Sequence, residues 1–251
     1  MFSLEIHCEA GRRDLLIADL WEQGSAGIVE LDDRAVRAFF EDTADRDALL
    51  ALYPEASVRT EEQRDWVASA RDLLQPMTVG SRFFLVPEWR DDPTPPGCFR
   101  ITINPGMAFG TGVHETTQLC LEALEEFVRP GMTVLDVGAG SGILSRAARL
   151  LGARAFSCDI DAVAVAIAAE GFVGSVDAVR SGIADVTVAN ISPEAIVQLA
   201  PELLRSLRPS GILLVSGFEG HEVDAVQSAL PPAREVRRKG NWALAVVTAN
   251  A

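Results

Sequence analysis

The stretch Thr133-Val134-Leu135-Asp136-Val137-Gly138-Ala139-Gly140-Ser141-Gly142 decides the fold. Its first five residues are mostly apolar and β-branched, the pattern of a short strand buried on both faces. Three glycines then recur at G-x-G-x-G spacing. Glycine lets the backbone bend sharply and lets a ligand approach it closely. Ile143 to Leu151 follows as a helix that stops at Gly152. Strand, glycine turn and helix in that order open an alternating β/α unit with a mostly parallel sheet.

Outward from the turn the alternation continues. Ala155 to Asp159 is the next strand, Ala162 to Glu170 an alanine-rich helix and Asp185 to Ala189 a further strand. Pro193 to Leu207 is a helix and Gly211 to Ser216 a strand. Val236 to Arg238 and Trp242 to Val247 close the sheet as a hairpin turning at Gly240-Asn241. Upstream, Glu115 to Phe127 is helical and Phe83 to Val86 is a strand, while Asp91 to Gly97 must be a loop.

In an open parallel sheet, ligands bind beyond the carboxyl ends of the strands. The glycine turn lies at such an end. A dinucleotide fingerprint spaces its glycines G-x-G-x-x-G and seats a pyrophosphate at the helix start. Here the spacing differs and Asp136 precedes the turn, an acid that disfavours pyrophosphate and favours an ammonium group. S-adenosylmethionine carries such an ammonium on its amino-acid end. The alternative is an ordinary structural bend. Asp159 ends the second strand about twenty residues after the first glycine, where an acid conventionally binds ribose hydroxyls; alone it reads equally as an acidic loop residue beside Asp161. Asn190 follows the strand 185–189. Its amide could hold the N–H groups of an acceptor amine and aim the lone pair, or it could cap the helix that begins near Pro193, with Ser192 competing for that position. Asn104 to Thr117, with three glycines, is a lid or a connector, and His114 within it reads as a hydrogen-bonded structural residue.

The N-terminal stretch has a different grammar. Leu4, Ile6 and Cys8 alternate with polar residues as in a half-buried strand. Arg12 to Gln23 reads as a helix stopping at Gly24, 27–31 and 35–40 as two strands, and 45–53 as a helix ended by Pro54. The order β-α-β-β-α predicts a ferredoxin-like sheet with helices on one face. Trp66 to Leu74 extends as a helix. The expected division is a small α/β domain at 1–57, a linker at 58–80 and an α/β domain of Rossmann type at 81–251.

Composition bounds the chemistry. Of 251 residues, 48% are apolar and 23% charged, which excludes a disordered chain. No apolar run is long enough to span a bilayer, and the first residues show no signal peptide. Cys8, Cys98, Cys120 and Cys158 lie too far apart for a metal or redox motif, so four reduced thiols in a cytoplasmic protein are expected, with no metal. A net charge of −14 disfavours a nucleic-acid partner and suits a basic one.

The loop Pro105-Gly106-Met107-Ala108-Phe109-Gly110-Thr111-Gly112-Val113-His114-Glu115-Thr116-Thr117 resembles the signature of the bacterial methyltransferases of large-subunit ribosomal protein eleven. The turn at 135–144, Asp159-Ile160-Asp161, Ala189-Asn190-Ile191 and Trp242-Ala243-Leu244 are similar to the same family. The resemblance implies S-adenosylmethionine as cofactor, held by Phe109, Thr117, Gly138, Gly140, Asp159, Ile160 and Asn190, with Asn190 also facing the acceptor amine. It implies a monomer whose small domain recognises the basic ribosomal protein, and methylation of lysine side chains and the N-terminal amine. Three departures stand out. In the linker, this chain has Ala70 after Trp66 where the family often has a second tryptophan. Ala162 follows Asp161 where the family has proline, and the segment from Glu170 to Asp177, expected near the adenine, is shortened. A methyltransferase of another protein or small molecule, and a cofactor-binding factor without catalysis, are the competing readings.

Overall fold

The computed structural model describes residues 1–9, 12–32, 34–60, 75–104, 114–168 and 171–249. The chain divides into two compact units, Met1–Leu73 and Leu74–Ala251. The helix expected at 66–74 and the loop 105–113 lie outside the described residues.

The first unit runs β1 (Phe2–His7), α1 (Arg13–Glu22), β2 (Gly27–Asp32), β3 (Ala35–Phe40), α2 (Arg46–Leu52) and β4 (Ser57–Thr60). The four strands are antiparallel in the order β2-β3-β1-β4. Phe2, Leu4 and Ile6 alternate inward and meet Val36, Ala38 and Phe40 under Leu20 of α1 and Leu49 of α2. Both helices therefore cover one face, as the ferredoxin-like pattern requires. Asp45 caps α2 by accepting from the Ala48 amide at 3.1 Å. Sequence reading omitted β4, whose residues are largely exposed; it pairs Phe2 through Glu5 with Thr60 through Ser57.

The second unit begins with β5 (Met77–Val79), β6 (Phe83–Pro87) and β7 (Phe99–Ile103), a small three-stranded sheet. The expected linker 58–80 thus carries strand residues at both its ends. Then follow α3 (Glu115–Phe127), β8 (Thr133–Val137), α4 (Ile143–Leu150), β9 (Arg154–Asp159), α5 (Ala162–Ala168), β10 (Gly171–Val173), β11 (Ala184–Asn190), α6 (Pro193–Ser206), β12 (Leu207–Glu219), α7 (Val223–Ser228), β13 (Glu235–Lys239) and β14 (Trp242–Thr248). The seven-stranded sheet has the order β10-β9-β8-β11-β12-β14-β13. The β10-β9, β9-β8, β8-β11 and β11-β12 pairs are parallel, and β14 runs antiparallel between β12 and β13.

Alternation along the central strands sends side chains to two cores. Val134, Val186, Val188 and Leu214 pack under α3, α4 and the small sheet. Leu135, Val137, Ala189, Leu213 and Val215 pack under α6 and α7. At the end opposite the glycine turn, the Asp185 carboxylate accepts from the Thr133 amide and from Arg208, at 2.7 Å each. That clamp spans the irregular start of β12, where Ser210 takes a φ of 63°.

One connection is unlike the rest. Between β10 and Ala184 the chain makes only a single 3₁₀ turn, Val176–Ala178, so among the described residues this connection lays no α-helix against the sheet. Phe156 and Phe172 are accordingly 47% and 37% exposed. Arg205, in the last turn of α6, holds this short crossover. Its guanidinium donates to the carbonyls of Val176, Asp177 and Val179 and to the Ser181 hydroxyl, at 2.7–3.2 Å, and pairs with Glu202. Arg205→Ala should lower the unfolding free energy in urea by about 1–3 kcal/mol, the scale of hydrogen bonds to a charged group. Arg205→Lys should recover only part, because a single ammonium cannot reach that set of acceptors. An unchanged midpoint for the alanine variant would show that the crossover holds itself.

Candidate functional site

The turn after β8 bends at three glycines with left-handed backbone, φ 73° at Gly138, 51° at Gly140 and 71° at Gly142. A side chain at Gly142 would lie 2.6 Å from the Ala168 Cα, so α5 can approach only a glycine there. The Gly138 amide donates to the Cys158 carbonyl at 2.9 Å, and the Gly140 amide donates to Asp159 Oδ2 at 2.9 Å. The turn is therefore fastened to the carboxyl end of β9.

The two acids beside the turn differ. Asp136 is completely buried. Its Oδ2 accepts from both the amide and the hydroxyl of Ser145, at 2.9 Å each, and among the described residues its Oδ1 has no hydrogen-bond partner. Burial pushes this carboxyl up to about 7, against the downward pull of the Ser145 hydrogen bonds. This corrects the reading of Asp136 as a partner for a ligand ammonium: it anchors the first turn of α4 and presents no accessible charge. Sequence reasoning missed Ser145; its place one turn into a helix after an acid-glycine motif was the available signal. Asp159, by contrast, is partly exposed, with Oδ1 accepting from the Asp161 amide at 2.9 Å. Each oxygen then keeps a lone pair for a diol. Ile160 beside it is 84% exposed.

Asn190 closes β11 opposite Ser216 of β12. Ser192 takes the cap of α6, accepting from the Ala195 amide at 3.3 Å, and Pro193 occupies the first turn. The capping role that competed for Asn190 is thus filled by its neighbour. Asn190 Nδ2 instead lies 3.4 Å from the hydroxyl of Thr117, a buried residue of α3. His114 caps α3 through Nδ1, accepting from the Thr116 amide at 3.3 Å, and packs edge-on against Trp242, the structural role read for it. The structure brings Gly138, Gly140, Asp159, Ile160, Thr117 and Asn190 to the carboxyl ends of β8, β9 and β11. Phe109 lies outside the described residues.

These features fit S-adenosylmethionine. A glycine-rich turn and a partly exposed carboxylate at the next strand end can take a nucleoside, and the neutral amide of Asn190 stands at the same end of the sheet. The strand order and the antiparallel β14 define a class I S-adenosylmethionine-dependent methyltransferase domain. The family described as Ribosomal protein L11 methyltransferase (PrmA) matches residues 18–249, and the chain belongs to that family. A ribosomal protein L11 methyltransferase of Pelobacter propionicus is 34% identical over 294 positions, covering 95% of each chain. One from Azotobacter vinelandii is 41% identical over 218, covering 76% of this chain and 72% of that protein. One from Desulfitobacterium hafniense is 38% identical over 198, covering 72% of this chain and 64% of that protein, so the matched part is under two thirds of its length. The crystal structure of a ribosomal protein L11 methylase from Lactobacillus delbrueckii superposes with a TM-score of 0.65 at 29% identity, covering 71% of this chain and all of that one.

The state of Asp136 has a measurable consequence. A carboxyl whose folded pKa lies above its unfolded value favours folding at low pH. That contribution is complete below about 4 and is lost as pH rises through about 7. Asp136→Asn cannot ionise. Its stability relative to the parent chain should rise between about pH 4 and pH 8, by more than the ~1.4 kcal/mol that one pKa unit represents. Denaturant melts of both across that range measure the difference. A difference flat with pH would mean that Asp136 ionises in the fold as it does in water.

Proposed function

We propose that the chain transfers methyl groups from S-adenosylmethionine to ribosomal protein L11, at lysine side-chain and N-terminal amines. The observation that carries the amine assignment is the Asn190–Thr117 contact. Because Nδ2 of Asn190 is turned to the Thr117 hydroxyl, the carbonyl end of the amide is the end left to accept an N–H from an acceptor.

The cofactor, when bound, supplies a methyl group on a sulfonium. The residues of this chain do the rest. Gly138 and Gly140 let the ligand approach the backbone, Asp159 accepts from its hydroxyls, and Ile160 offers an apolar surface beside them. The acceptor amine must arrive neutral, although a free lysine has a pKa of about 10.4. Exclusion of water at the strand ends disfavours the ammonium. Asn190 accepts one N–H of the neutral amine and so aims its lone pair; a carboxylate in that position would stabilise the charged form instead. Proximity and aim are the main contributions such a site can make. Residues 1–57 recognise the substrate protein in this reading, residues 58–80 link them to the catalytic domain at 81–251, and the net charge of −14 suits a basic partner. Phe109 is, in this reading, a further cofactor-binding residue.

The test is methyl incorporation into ribosomal proteins from cells lacking this gene. Label in L11 is expected, at lysines and at the amino terminus. Label in another protein would assign a different substrate, and cofactor binding with no transfer to any ribosomal protein would favour a non-catalytic factor. Two variants separate the roles. Asp159→Ala should weaken cofactor binding by about 1.5–3 kcal/mol, the usual scale for hydrogen bonds to a charged group. Asn190→Ala should lower kcat more than it lowers cofactor affinity; equal loss in both would reduce its role to binding.

A further inference from the structure

Ile191 follows Asn190 and sits between two glycines. On one side is Gly217. The β12–β14 pairing shifts register between Ser216 and Phe218, leaving Gly217 as the extra residue of a bulge with φ 100°. A Cβ at Gly217 would overlap the Ile191 carbonyl oxygen and lie 2.8 Å from the Ile191 carbonyl carbon and 3.0 Å from its nitrogen. The Ile191 amide donates to the Ser216 carbonyl at 3.1 Å. The backbone of Ile191 therefore rests directly on the bulge. On the other side is Gly138, where a Cβ would overlap Cγ2 of Ile191. The side chain of Ile191 therefore fills the space that the absent side chain of Gly138 leaves.

We propose that Ile191 is a positioning residue, a wedge between the Gly217 bulge and the Gly138 turn that sets the distance from the glycine turn to the Asn190 amide. The proposal rests on the reading above, in which the turn holds the cofactor and Asn190 aims the amine. A residue of mere packing would lose stability when altered, and nothing more. A wedge has two further properties. Its two contacts differ in kind, one through backbone and one through side chain, so substitutions on the two sides should respond differently to shortening Ile191. A displacement of about 1 Å at a reacting group can also cost on the order of 100-fold in rate.

The experiment uses the full chain, calorimetry with S-adenosylhomocysteine, and methyl transfer to L11. Gly138→Ala should weaken cofactor-product binding about tenfold or more, through the strain of a side chain at φ 73° together with the overlap on Ile191 Cγ2. Adding Ile191→Ala should restore several-fold of that loss, because it removes Cγ2. Gly217→Ala should lower kcat about tenfold or more with product affinity within about threefold, and Ile191→Ala should not rescue it, because the overlap is with backbone. Alone, Ile191→Ala should lower kcat while leaving KM for the protein substrate nearly unchanged, and Ile191→Val should keep the parent kcat. Ile191→Ala creates no clash, so it keeps the test decisive if Gly217→Ala fails to fold. The proposal is overturned if Ile191→Ala leaves kcat at the parent value, or if the Gly138→Ala chain binds equally weakly with and without Ile191→Ala. A parent chain that binds the cofactor product yet methylates no L11 defeats the substrate reading alone, and the affinity comparison still decides the wedge.

Discussion

The second unit depends on one constraint: the chain leaving β8 must reverse into α4 within five residues while an acidic side chain is buried beneath the turn. Gly138, Gly140 and Gly142 all take left-handed backbone to make the reversal. Asp136 pins the start of α4 through Ser145, and Gly142 admits Ala168 of α5. The Gly140 amide then reaches Asp159. These contacts tie the turn, α4, α5 and the end of β9 to one another at the ligand-facing end of the sheet.

The two acids of the turn divide the work by burial. Asp136 is sealed, and a sealed carboxylate is costly unless it is hydrogen-bonded or takes up a proton. Its two bonds from Ser145 offset part of that cost, and its raised pKa shows that part remains. Asp159 sits one strand over and stays partly open to solvent. It satisfies the turn with one oxygen and the Asp161 amide with the other, so an acid that a ligand can reach is also part of the scaffold.

Sequence alone reached the alternating elements from residue 115 onward, because parallel strands buried on both faces and amphipathic helices have distinct periods. Helix Glu115–Phe127 was legible to the residue. Most of the strands it missed carry weak patterns. Ser57–Thr60 and Gly171–Val173 are short edge strands with little buried side chain, and Met77–Val79 is only three residues long. Pairing with a neighbouring strand, rather than their own pattern, decides them. Phe99–Ile103 was also missed, although Phe99, Ile101 and Ile103 alternate as a strand does. Within the site, the positions of Asp159 and Asn190 at strand ends were legible because the strands themselves were. The assignment of Asp136 to a ligand failed because spacing does not reveal which way a carboxylate points. Ile191 and Gly217 carried no visible chemistry at all; a lone glycine in an apolar run signals a bulge, and only the fold shows what the bulge supports.

The short connection between β10 and β11 tests how modular the site is. Arg205 ties it down by its carbonyls, and Phe156 and Phe172 beside it are part-exposed. Yet Gly140–Asp159 and Thr117–Asn190 are intact, because their anchors come from α3, β8, β9 and β11. The short connection instead lies at the edge of the sheet, where β10 follows β9. A change at a sheet edge can therefore alter one rim of the strand ends without moving the residues fastened at their centre.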